Sequence, residues 1–79
     1  MFKIKLTIAG KEQVTEGFDA FNALDKLTLP TLLKGKVFLE AIDKGKSTHR
    51  MMNHFKLRRI LSSDTYKAIF AKQINLFLK

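Results

Sequence analysis

Phe2, Ile4, Leu6 and Ile8 alternate with Lys3, Lys5 and Thr7, a period of two that only an extended strand turns into one apolar and one polar face. Ala9-Gly10-Lys11-Glu12 supplies a turn, and Gln13-Val14-Thr15 begins a second strand. A two-stranded hairpin is barely stable alone, so its apolar face has to be covered by the rest of the chain. The chain has no cysteine, so that cover must hold by side-chain packing, without disulfides or thiolate-bound metal. With 79 residues, 46% of them apolar, there is enough material for one small core and little for a deep cleft.

After Asp19 the period changes. Ala20, Phe21, Ala23, Leu24 and Leu27 fall on one side of a helix, with Asn22, Asp25 and Lys26 on the other, and Asp19 is placed to cap its first turn. Pro30 and Gly45 have the positions of start and stop signals for a second helix. Its polar side would carry Lys36, Glu40, Asp43 and Lys44. The competing arrangement makes Lys36 to Asp43 a third strand, but that puts Phe38 and Ile42 on the same face as Glu40, so the helix is preferred.

Ser47 reads as the cap of a third helix with Met51, Met52 and Phe55 inward. Ser62-Ser63-Asp64 reads as a turn and cap before a last helix. There Tyr66, Ile69, Phe70, Ile74 and Phe77 face inward, and Lys67, Lys72 and Asn75 face outward. The expected fold is α+β, a single small domain in which an N-terminal antiparallel β-hairpin packs on three to four helices.

Charge divides this domain. Residues 1–43 hold six lysines and six acids, whereas residues 44–79 hold nine cations and only Asp64, so the net +8 lies wholly in the second part. The chain reads as a neutral scaffold, 1–43, joined to a basic helical part, 44–79, directed at something anionic. The densest run is Lys44, Lys46, Arg50, Lys56, Arg58 and Arg59, six cations in 16 residues without one acid. Such a run favours phosphate, because each neutralised phosphate releases condensed counterions. The expected function is a small non-enzymatic nucleic-acid-binding accessory protein. Lysine and arginine, supported by Lys67 and Lys72, would contact about five or six phosphates, while His49, Asn53 and His54 contact bases or sugars.

Enzymatic readings fail on the residues. Gly45-Lys46-Ser47-Thr48 has the end of a phosphate-binding loop, but Glu40 occupies the position of its required first glycine. His49 and His54 would lie about 140° apart on a helix, the wrong spacing for one metal. No cofactor is implied. The longest uncharged stretch, Leu27 to Leu33, has seven residues and contains Pro30, too short for a membrane span, so an intracellular, cytoplasmic protein is expected.

The alternative function is a protein-interaction adaptor or inhibitor whose basic face docks on an acidic partner. Apolar residues exposed at the centre of the basic face would favour that protein partner, because protein interfaces need a desolvated anchor. A groove lined by cations would favour nucleic acid.

Overall fold

The computed structural model describes residues 1–30 and 35–78. Two strands, β1 (Phe2–Ile8) and β2 (Lys11–Gly17), lead into helix α1 (Ala20–Asp25). Two more strands follow, β3 (Lys36–Asp43) and β4 (Lys46–Asn53), then helices α2 (His54–Ser62) and α3 (Asp64–Phe77). The strands form one antiparallel sheet in the order β2-β1-β3-β4. The fold is therefore α+β, but its β layer is a four-stranded sheet with three helices, and the N-terminal hairpin on three to four helices is corrected accordingly.

The error lies between Lys36 and Asn53, where two expected helices are two strands. Val37, Leu39 and Ala41 are buried beside Phe2, Ile4 and Leu6, which is the period-two pattern of a half-buried strand. Phe38 and Ile42 do share a face with Glu40, as the strand reading required. That face is open to solvent, and Glu40 is satisfied by His49 across the β3–β4 pair, Nε2 to Oε2 2.9 Å. Gly45 ends no helix. With Lys44 it forms a two-residue turn in which both residues have positive φ, 52° and 78°, the geometry that matches the twist of a hairpin. Ala9 and Gly10 repeat it at 51° and 80°. Ser47 lies within β4 and caps nothing; the strand alternation buries Met52 and exposes Met51. Of the helix expected between Pro30 and Gly45, residues 31–34 lie outside the described residues.

The other boundaries follow local chemistry. Asp19 accepts from the Asn22 amide at 2.7 Å, Asn53 from that of Phe55 at 2.9 Å and Ser63 from that of Tyr66 at 3.4 Å, each using a first-turn donor with no helical partner. Gly17 ends β2 because α1 comes down on it. A Cβ there would lie 2.5 Å from Asn22 Oδ1 and 2.6 Å from the Ala23 nitrogen.

All three helices cover the same side of the sheet. Ala20, Ala23 and Leu24 of α1, Leu57 and Ile60 of α2, and Phe70, Ala71 and Ile74 of α3 close one core over β1 and β3. The opposite face carries Lys3, Lys5, Glu12, Glu16, Phe38, Glu40 and His49, with Lys3–Glu16 and Lys5–Glu12 paired at 3.8 and 3.4 Å. A molecule 18 Å across its shortest axis is this one helical layer on one sheet.

Helix α3 is rotated from its expected phase. Phe70 and Ile74 are buried as expected, but Tyr66, Ile69 and Phe77 are exposed and Lys67 is buried in their place. The cause is α1: the small Ala71 lets it approach, and Asp25 supplies a counter-charge for Lys67. The Lys67 Nζ donates to Asp25 Oδ1 at 2.6 Å, lies 3.5 Å from Asp64 Oδ1, and stands 5.3 Å from the centre of the Phe21 ring.

The hydrogen bond to Asp25 holds the Lys67 pKa above its ordinary value of 10.5; burial opposes it and the charges of Asp25 and Asp64 add to it. A raised lysine pKa stabilises the fold fully below pH 10.5, and that contribution is lost as pH rises through the higher folded value. Alkaline melting should therefore fall more steeply in the parent than in Lys67→Met. The two ends of the pair should also behave unequally in urea denaturation. Asp25→Ala leaves the buried ammonium with only the more distant Asp64 and should cost about 1–3 kcal/mol, whereas Lys67→Met leaves acids that water resolvates and should be near neutral. Equal losses would show that the clamp acts by shape alone.

Candidate interaction face

The basic run from Lys44 to Arg59 is divided between a strand and a helix. Lys44 and Lys46 stand exposed at the β3–β4 turn. Lys56, Arg58 and Arg59 stand on α2, beyond the far end of β4, about 23 Å away at roughly 3.3 Å per strand residue. Along β4 the side chains alternate, so Lys46 and Arg50 lean to the helical side, while His49 and Asn53 lie on the open face.

Six of the eleven residues expected to bind are already engaged within the fold. His49 pairs with Glu40. The Arg50 guanidinium lies 4.3 Å from the centre of the Phe77 ring. Asn53 caps α2 through its side chain. Arg58 Nη2 donates to the Pro30 carbonyl at 2.9 Å. Lys67 is 5% exposed and clamped by Asp25, which removes it from any surface. His54 is not a solvent contact either: it is buried, and its Nδ1 lies 3.0 Å from the Gly35 carbonyl, an acceptor that places the proton on Nδ1.

Lys44, Lys46, Lys56, Arg59 and Lys72 are exposed, and none of them meets an acid of the described residues within ion-pair distance. Lys72 is apart from the others, on α3 beside Asp19 and Phe21 at the start of α1. The lysines and arginines therefore line no common groove.

Apolar side chains that the sequence placed inside stand among these cations. Phe55 is 69% exposed on the outer face of α2, the helix that also carries Lys56, Arg58 and Arg59, and Met51 is 65% exposed at the end of β4. Phe77 is exposed on the last turn of α3, next to Leu76, which was not among the residues expected inside. Helical periodicity missed Phe55 because it was phased with Met51 and Met52, which belong to a strand. The signal that finds it is the triplet Leu57, Ile60 and Leu61, which defines the buried side of α2 and leaves Phe55 opposite.

Among the described residues no group of three or more His, Asp or Glu converges on a metal position, and no helix is long and apolar enough to cross a membrane. No protein-family model matches this chain, and no curated protein or solved structure is significantly similar to it.

Proposed function

We propose that this chain is a non-enzymatic, intracellular protein-interaction module that docks the basic and apolar surface of α2 and β4 on an acidic protein partner. The observation that carries this reading is Phe55, 69% exposed in the first turn of α2, the helix that also carries Lys56, Arg58 and Arg59. An exposed aromatic ring on a basic helix is an interface anchor, since it loses water on docking while the charges of the helix select an acidic surface. The same observation ranks nucleic acid second, because few uncommitted cations share a surface and no groove collects them.

The test is capture from nuclease-treated cell extract, paired with a salt titration on duplex DNA. An acidic protein should be retained by the parent, and Phe55→Ser should weaken retention at least tenfold. Being exposed, Phe55 should change stability by no more than about 0.5 kcal/mol on substitution. With Lys44, Lys46, Lys56 and Arg59 as the uncommitted cations of the run, any DNA binding should show a slope of log affinity on log salt no steeper than about −3.6. Capture that disappears with nuclease, together with a slope near the −5 expected for five or six phosphates, would overturn the protein reading in favour of nucleic acid.

A further inference from the structure

The sheet order leaves β4 at an edge, paired only with β3. Which of its backbone groups are free follows from the register. The His54 amide donates to the Gly35 carbonyl at 3.1 Å, and a two-residue turn joins Asp43 to Lys46 at the other end. Hydrogen-bonded pairs alternate along an antiparallel ladder, so Met52, Arg50, Thr48 and Lys46 turn their N–H and C=O toward β3. Ser47, His49 and Met51 turn theirs away, and no described residue bonds to them.

Edges of this kind are usually blunted by proline, by a bulge or by charge. β4 has no proline, and its register with β3 runs unbroken from Lys46 to Asn53. Among the described residues its protection is charge of one sign, Lys46 and Arg50, with no acid on the strand. Like charges repel, which disfavours the β4 of a second copy, most in the registers that set Lys46 against Arg50 or Arg50 against itself, and leaves an acidic strand free to approach.

A second observation places something beside this edge. Arg50 reaches from the helical side of β4 to the Phe77 ring, yet that ring remains 60% exposed. A ring under the sheet would be covered. Phe77 therefore presents an open ring beside Arg50 on the helical side of β4, the side on which the inward side chains of a further strand would lie.

We propose that the free edge of β4 receives an extended acidic segment of a partner protein, which adds to the sheet as a fifth strand and covers Phe77. The proposal rests on the acidic-partner reading above and names how the partner is held. Main-chain bonds to Ser47, His49 and Met51 supply affinity, and an acid beside Lys46 and an apolar residue over Phe77 supply selectivity. A nucleic acid does not fit this edge, because its phosphates offer acceptors without the alternating donors that the β4 carbonyls need.

The probe is a seven-residue peptide, Thr-Val-Thr-Thr-Thr-Glu-Thr, whose valine and glutamate share one strand face as Arg50 beside Phe77 and Lys46 do, titrated into the full chain at low salt and followed by amide NMR. His49→Pro removes one outward donor and no ladder bond, and His49→Ala controls for the lost pair with Glu40. Shifts should centre on Ser47, His49 and Met51. His49→Ala should bind within about threefold of the parent, and His49→Pro at least tenfold more weakly while melting like His49→Ala. Equal binding by the two variants, or shifts confined to α2, would overturn strand addition and leave the acidic-partner reading standing. No binding by the parent would overturn both. Concentration-dependent dimers lost in His49→Pro would overturn the proposal in favour of a second copy as occupant.

Discussion

Phe70→Ala is expected to remove a large share of the protein's stability at room temperature. Phe70 is buried where α3 meets the sheet-facing helices, and truncating a buried phenylalanine costs about 3–5 kcal/mol through lost transfer energy and the cavity left behind. A domain of this size has roughly 4–12 kcal/mol in total, and no disulfide limits the unfolded state. Far-ultraviolet circular dichroism with a urea titration reads the effect. A neighbouring control comes from the same helix: Ile69→Ala removes an exposed side chain one residue away and should change stability by no more than about 0.5 kcal/mol. If Phe70→Ala melts like the parent and Ile69→Ala does not, the rotation of α3 described above is wrong.

Reversing charge at Lys56 and Arg59 together should weaken partner binding by a hundredfold or more, while Lys3→Glu with Lys5→Glu should change it less than about twofold. The net charge changes by the same amount in both variants, so any difference reports position. Lys56 and Arg59 share α2 with Phe55 and meet no described acid, whereas Lys3 and Lys5 sit on the open sheet face already paired with Glu16 and Glu12. Arg50 and Arg58 are poorer choices than the sequence suggests. Arg50 stacks on Phe77 and Arg58 holds the Pro30 carbonyl, so reversing them would mix folding with binding. The Lys3 and Lys5 changes carry their own cost, because each creates a like-charge pair across β1 and β2 worth a fraction of a kcal/mol to about 1 kcal/mol. Titration of the captured partner, or of polyglutamate as a charge-only probe, with melting curves on both variants, gives the comparison. Equal losses from the two pairs would place the binding surface nowhere in particular and remove the basis for the α2 face.

The parts of this structure that were legible in the sequence are those decided within a few residues. The β1–β2 hairpin follows from strict alternation, α1 from Asp19 and an apolar stripe, and the break between α2 and α3 from Ser63. Each rests on a cap, a turn or a period that one segment expresses by itself. The charge asymmetry was legible in the same way, because summing charges needs no coordinates.

β3 and β4 were decided elsewhere. Lys36–Asp43 is compatible with either period, and its place beside β1 settled the matter: there Val37, Leu39 and Ala41 bury against Ile4 and Leu6 while His49 satisfies Glu40. Lys46–Asn53 has one buried apolar residue and becomes a strand because β3 offers it a ladder. That single change moves every later inference. It separates Met51 from Met52, moves the helix start from Ser47 to Asn53, turns Phe55 to solvent and spreads the basic run over two elements. Composition and local period determined that the chain is a small α+β domain with its excess positive charge in the second part. Only the tertiary structure decided which cations are free, which apolar side chains are exposed and which strand edge is open, because each depends on partners distant in sequence: Asp25 for Lys67, Phe77 for Arg50 and Gly35 for His54.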